Sequence, residues 1–482
     1  MEKTPESILI VGSGLFGLST AWSLTKRPRF DETRITVVDN ASAGGGRFPP
    51  EDSASVDASR IVRADYADTH YSRLGAEAQA LWRQQEDGEV GGQGRYTENG
   101  FLIMASDMTT WPPAEVAAGK KTGMDYARTS WENVSTIASE AGQPEKIVKL
   151  GSRRELQEYV GTDGNPGDWG YLNKLSGWSD NGATMRWMYE QVRATGRVEF
   201  VDAQVAELVA EGRRVTGAKL RGDGRILTAD VVFVAAGAWT GSLIDMRGRA
   251  EATGQILGYI DISKEEEERL RDNPTIMNLT TGMFILPPRN GMLKVARHGF
   301  GYLNPRTVTR ALPPVASASD ERPAIVTSVP RTTRDGELKS MPVEAAKGLR
   351  QALVDLLPRD MGMETRPWCK TRLCWYSDTR DADWIVDWHP GYDGLFVATG
   401  DSGHGFKFLP VIGDKLTDVF EGKGGPFAEK WSWKEIEDDG AGKVIDGVYK
   451  GIITEDGSRG GRRGMILDEE LARKGEGVAA KL

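Results

Sequence analysis

Hydrophobic and polar positions fall into short blocks that predict strands and helices in turn. Ile8-Leu9-Ile10-Val11 is a continuous apolar run closed by Gly12, the pattern of a strand buried on both faces. It leads through Gly12-Ser13-Gly14-Leu15-Phe16-Gly17 into a helix-forming segment, 18–24. A second such strand, 34–38, ends on Asp39. The spacing of Leu74, Ala78, Leu81 and Trp82 predicts a helix within 71–90; 96–104 reads as a hairpin edge and 105–150 as a mostly helical outer layer. A helix over 183–195 precedes short strands at 198–205 and 215–220, with Gly222-Asp223-Gly224 as a hairpin turn. Residues 231–236 form another buried run, leaving through Gly237-Ala238-Trp239. Between 250 and 372 the pattern changes to a charged helix at 263–272, strands at 277–286 and 292–297, and an amphipathic helix at 343–357. Past Cys374 the first pattern returns, with strands at 384–388 and 395–399 and a second glycine turn, Gly400 to Lys407.

A strand–glycine turn–helix pattern that is left and rejoined implies a combined α/β and α+β fold. A Rossmann-like nucleotide-binding domain, drawn from 1–90, 150–248 and 378–425, is interleaved with a mixed-sheet substrate domain, drawn from 91–149 and 249–377. The last stretch, 426–482, reads as a surface extension. A length of 482 residues fits two domains.

Composition narrows the functional classes. A net charge of −9 leaves no basic field for nucleic acid, and Arg459, Arg462 and Arg463 read as solvated surface. Two cysteines, Cys369 and Cys374, suit a reducing compartment. No apolar run has the length of a membrane helix, and the N-terminal residues lack the pattern of a signal peptide, so a soluble protein is expected; the terminal Ala480-Lys481-Leu482 resembles a peroxisomal address, which makes the peroxisome the expected location and the cytoplasm the alternative.

The first glycine turn has the chemistry of a dinucleotide cradle. Gly12 permits the tight turn, Gly14 the close approach of a pyrophosphate, and Gly17 close helix packing; Asp39 stands where an acid accepts from a ribose diol. FAD and NAD share this cradle. Arg60 and Arg63, three apart, lie on one face if their segment is helical. They serve either as an exposed face pairing with Asp57 and Asp65 or as forks for an anion. Cys374, taken alone, reads as a buried apolar thiol.

In combination these motifs resemble the monomeric sarcosine oxidase family, which includes pipecolate and saccharopine oxidases and fungal fructosyl amine oxidases. The motifs are the cradle with Asp39, Ser59-Arg60-Ile61-Val62-Arg63, Gly237-Ala238-Trp239, Lys294 with His298 four residues on, Cys374-Trp375-Tyr376, Ile385 to Pro390, and Ser402 to Phe408. The resemblance covers most of 7–420 and implies a D-amino-acid-oxidase-like fold with FAD joined by a thioether to Cys374. FAD contacts are expected from Gly12, Ser13, Gly14, Leu15, Phe16, Gly17, Asp39, Asn40, Ser59, Arg60, Val205, Ala236, Gly237, Trp239, Gly403, Gly405, Phe406 and Lys407. By the same carry-over, Arg63 and Lys407 grip a substrate carboxylate, Lys294 stabilises negative charge developing on dioxygen, and His298, Tyr376 and His404 line the cavity.

The implied reaction is oxidation of a small secondary amine to an imine, with dioxygen becoming hydrogen peroxide and the protein acting as a monomer. Fructosyl amine oxidases carry a glutamate where His298 stands, which disfavours fructosyl substrates. Asp57 and Arg63-Ala64-Asp65-Tyr66 look more like the saccharopine and pipecolate branch and like fungal alkaloid-pathway amine oxidases that close a ring on an N-methylated phenolic amino acid. A flavin-dependent hydroxylase would share FAD but require a nicotinamide reductant.

Overall fold

The computed structural model describes residues 3–44, 46–109, 111–315, 322–332, 335 and 341–473. Its first layer is a six-stranded sheet in the order Ile385–Trp388, Leu395–Thr399, Val231–Val234, Ser7–Val11, Arg34–Asp39, Val198–Asp202. Neighbours run parallel except the antiparallel edge pair Ile385–Trp388 and Leu395–Thr399. The central strands are continuous apolar runs because both faces are covered. Ile8 and Ile10 enter one core with helices Leu15–Thr25 and Leu409–Phe420. Leu9 and Val11 enter another, beneath a three-stranded sheet contributing Leu208, Val215 and Ala218.

The second layer is a ten-stranded mixed sheet. Strand Glu251–Asp261 pairs antiparallel with Met292–Arg297 and with Lys370–Asp378, so three strands that carry site residues are neighbours. Helix Val343–Leu356 covers one face, burying Leu349 and Leu353 against Ile285 and Val295. The opposite face looks toward the first layer.

The interleaved architecture matches the sequence expectation; several elements do not. Residues 53–63 are not helical. Arg60–Val62 is a strand paired with Gly177–Ser179, so tertiary pairing overrides a short segment's local preference. Residues 96–104 are not a hairpin: Tyr96–Thr97 pairs with Gly177–Ser179, whereas Phe101–Ala105 enters the large sheet, and Gly100 at φ +92° turns the chain between them. The stretch 277–286 is two strands, Thr275–Asn278 and Met283–Arg289, antiparallel about Gly282 at φ +72°. Strand Val198–Asp202 stops before Val205, which opens the three-stranded sheet.

The largest correction concerns the C-terminal segment. It is no surface extension: Trp431 is fully buried and its ring lies 4.7 Å from Trp384. Tyr449, Ile452 and Arg459 are buried as well, and Met465–Ile466 edges the large sheet. Polar and glycine-rich composition hid this, because the segment inserts single side chains rather than one apolar face. The Ala480-Lys481-Leu482 tail lies outside the described residues.

Helices Leu15–Thr25 and Leu409–Phe420 pack through Gly413, where a Cβ would sit 2.1 Å from the Ser19 carbonyl oxygen. Alanine normally gains about 1 kcal/mol over glycine inside a helix, but here a backbone atom must move. Gly413→Ala is therefore expected to destabilise by about 1–3 kcal/mol, read as a lower urea midpoint at unchanged slope.

Candidate active site

The glycine cradle forms where strand Ser7–Val11 meets helix Leu15–Thr25. Gly12, at φ +107°, lies so close to the neighbouring strand that a Cβ would stand 2.4 Å from the Ala235 carbonyl. At Gly17 a Cβ would come within 1.9 Å of the Gly12 carbonyl. Asp39 Oδ2 accepts from the amide and hydroxyl of Ser13 at 2.7 and 2.8 Å, and Oδ1 from the Asn40 amide at 2.7 Å. These bonds fix the carboxylate at the strand end while leaving acceptor capacity for hydroxyls. The Ser55 hydroxyl accepts from the Leu15 amide at 2.9 Å, showing that the first helical N–H points into the cradle. Half-buried Val205 follows Asp202, the register partner of Asp39. Ala236, Gly237 and Trp239 form a turn past the strand Val231–Val234, and Gly237 is at φ +52° with open space where a Cβ would be.

At the far end of this cradle a cavity opens between the two sheets. It is lined by Ser59, Arg60, Arg63, Lys294, His298, Tyr376, Gly403, His404, Phe406 and Lys407, with Ile61, Met277 and Phe284 as apolar wall. Motifs separated by more than 300 positions thus meet in one place.

Lys294 and Tyr259 are register partners on adjacent strands and both reach Asp57. Lys294 Nζ donates to Asp57 Oδ2 at 2.6 Å and to the Ser59 carbonyl at 2.8 Å, while Tyr259 Oη donates to Asp57 Oδ1 at 2.5 Å. Arg60 also donates to Asp57, and its Nη2 lies 3.3 Å from Cys374 Sγ. Burial opposes the charge on Asp57, yet Lys294, Arg60 and Arg372 outweigh it and hold the carboxyl well below its ordinary range. Lys294 moves down to about 8, chiefly through burial and with Arg60 adding to it, against the pull of Asp57.

Across the cavity Arg63 is buried, and its Nη1 has no hydrogen-bond partner among the described residues. Its guanidinium lies 4.5 Å over the Tyr66 ring. Lys407 Nζ donates to Tyr66 Oη at 2.9 Å and the His404 carbonyl at 2.7 Å. Burial, then Arg63, push Lys407 well below the usual lysine range. An entering carboxylate would restore its charge.

The other expected residues are placed with some differences. His404 is at the wall, but Tyr66 Oη meets Nδ1 at 3.1 Å and the Ala382 carbonyl meets Nε2 at 2.8 Å, so protein groups occupy both ring nitrogens. Tyr376 packs on Gly403, where a Cβ would come within 2.2 Å of its ring. Gly405 abuts Leu15, linking the second glycine turn to the first. Asp57 had been weighed as a surface partner for arginine and as part of a branch likeness, whereas it is the buried carboxylate that three cations surround. Tyr66 had been noted only within that likeness and Tyr259 had no signal in the sequence; Arg459 was read as solvated, and its side chain is 1% exposed.

Comparison with known proteins agrees with this geometry. Residues 7–419 match the DAO family, FAD dependent oxidoreductase, and the chain belongs to that family. It is 30% identical over 466 residues to the amino acid oxidase imqH of Aspergillus flavus, covering 88% of this chain and 95% of that protein. It is 31% identical over 467 residues to the amino acid oxidase fsqB of Aspergillus fumigatus, covering 85% and 91%. Among solved structures, a modified fructosyl peptide oxidase from Aspergillus nidulans superimposes with a TM-score of 0.75 at 21% identity, covering 97% of this chain and 99% of that one. The residues present fit FAD: the close backbone at Gly12, the fixed Asp39 carboxylate and the open Gly237 turn form a continuous cradle that ends at the cavity.

Removing Asp57 would leave two buried cations without their shared partner, a loss of about 3–5 kcal/mol. Its folded carboxyl lies below the unfolded value. That contribution is therefore complete above the unfolded aspartate range, near ~4, and is lost as pH falls through the folded value. Asp57→Asn is expected to lower the urea midpoint at neutral pH and to flatten its decline in acid. A mutant profile parallel to that of the wild type at every pH would contradict the assignment.

Proposed function

We propose that this chain oxidises a secondary amine bearing a carboxylate, of the N-methyl or cyclic amino acid type, to an imine, with hydrogen peroxide as the second product. The observation that carries this reading is Arg63: a buried guanidinium with an unpartnered Nη1, in one cavity with Lys407 and Lys294. A planar fork beside a point charge suits a carboxylate. Its relatives in the two Aspergillus species are amino acid oxidases, which supports the same class.

Bound FAD supplies the two-electron oxidation and the return to dioxygen. The chain's own residues do the rest. Arg63 and Lys407 receive the carboxylate and orient the carbon next to nitrogen. The cations around the cavity disfavour an ammonium, so the reactive neutral amine is selected. Tyr376, Phe284 and Met277 exclude water. Lys294, with its pKa near 8, stays largely protonated at neutral pH and opposes negative charge developing on dioxygen. Finer parts of the reading are a thioether from Cys374, whose sulfur stands beside Arg60, and an N-methylated aromatic amino acid as substrate, to which the apolar wall is suited, with ring closure of the imine on a phenolic one. Action as a monomer and peroxisomal import through Ala480-Lys481-Leu482 complete it; import suits a peroxide-forming enzyme.

The purified protein is expected to release peroxide with N-methyl amino acids and far less with their decarboxylated amines; equal rates would sink the carboxylate assignment. Acid precipitation should carry yellow colour into the pellet, and Cys374→Ser should leave it in the supernatant. Lys294→Gln is expected to slow oxygen uptake about 10²–10³-fold while anaerobic bleaching by the amine is little changed. Equal losses in both half-reactions would remove its role toward dioxygen.

A further inference from the structure

The C-terminal segment delivers a charged group to the back of the cavity wall that neither glycine turn nor any sheet motif foretold. The segment is tied down along its length: Ile452 N donates to Glu251 Oε2 at 2.8 Å, Thr454 Oγ1 to the Thr379 carbonyl at 2.8 Å, and Glu455 N to the Arg380 carbonyl at 2.8 Å. Gly460 then runs against the chain on either side of His298. It bridges Gly299, and a Cβ on Gly460 would stand 2.2 Å from the Gly282 amide. The His298 amide is itself fixed by the Gly282 carbonyl at 2.7 Å.

This path inserts Arg459 beside the imidazole. Arg459 Nη1 lies 2.9 Å from His298 Nδ1 and 3.2 Å from Nε2. Its Nη2 donates to Asp378 Oδ1 at 2.5 Å and to the Ser402 carbonyl at 2.7 Å, and the guanidinium lies 5.3 Å over the Tyr376 ring. A guanidinium is permanently charged and has only donors, so a contact this close opposes a positive charge on the ring.

We infer that Arg459 is a positioning residue that holds His298 as a neutral imidazole. The pairing with Asp378 lets Arg459 oppose protonation of the ring without adding net charge to the cavity. The other groups facing His298 act in the same sense or are neutral: Arg63 and Lys407 across the cavity, His404, and the phenol of Tyr376, whose ring centroid is 5.7 Å away. The acids Asp401 and Asp456 act on Arg459 from behind. Burial first and Arg459 second place the histidine well below its ordinary range. Within the proposed function, this keeps the ring uncharged in a cavity whose charge is left to Arg63, Lys407 and Lys294.

The chain has only four histidines, so nitrogen-15 labelling of histidine in the FAD-loaded protein gives a readable spectrum, with His298 assigned by its loss in His298→Asn. In the wild type the His298 signals are expected to be those of a neutral ring, with no shift between about pH 5 and 8. Arg459→Met is expected to bring a titration into that window, whereas Arg459→Lys, which keeps donors and charge, restores the wild-type spectrum. Proton uptake by His298 in the wild type within the window would overturn the inference, a reading that does not need the methionine variant to fold. An Arg459→Met spectrum identical to wild type would overturn it too. The spectrum does not depend on which amine is oxidised, so failure of the carboxylate assignment would show in the peroxide assay and not here.

Discussion

One buried carboxylate holds the active site together. Asp57 accepts from Lys294, Arg60 and Tyr259 at once, and these groups come from the short strand Arg60–Val62 and two strands of the large sheet. Without it, two cations would lie unpaired in a place that water does not reach, at a cost of about 3–5 kcal/mol. The same contact sets the chemistry: it anchors the Lys294 ammonium at one position, and burial with Arg60 keeps that lysine near 8 instead of its ordinary value. In the proposed reaction, stability and reactivity with dioxygen therefore rest on the same charge cluster.

The cavity divides its cations by partner. Lys294 and Arg60 are matched by Asp57, and Arg459 by Asp378. Arg63 keeps one nitrogen without a partner, and Lys407 has only neutral acceptors in contact. An anion entering the cavity thus finds its strongest interactions on the Arg63–Lys407 side, opposite the Lys294 cluster. That asymmetry orients an amino acid by electrostatics before any shape complementarity acts.

The C-terminal segment shows how a site can be completed late in a chain. Its hold on Glu251, Thr379 and Arg380 joins it to the very strands that carry Tyr259, Cys374 and Tyr376. Family resemblance stopped near residue 420, yet Arg459 backs the cavity wall as folded, against His298 and Tyr376.

Much of this was legible beforehand. The glycine cradle, Asp39 and the buried strands were readable because each depends on local rules: continuous apolar runs for strands covered on both faces, and glycine where backbone approaches backbone. Lys294, Arg63, Cys374 and Lys407 were readable through motifs in a shared order. What local rules could not supply was pairing at a distance. Arg60–Val62 became a strand because Gly177–Ser179 lay beside it, and Asp57 became a buried counter-ion because the folded sheets brought Lys294 and Tyr259 to it. Arg459 resembled its exposed neighbours in sequence, and its burial was decided by Asp378 and the Ser402 carbonyl. The sequence by itself determined the cofactor class and the cast of reactive groups; the tertiary structure decided which charges are neutralised, because a counter-ion is defined by distance in space and not by position along the chain.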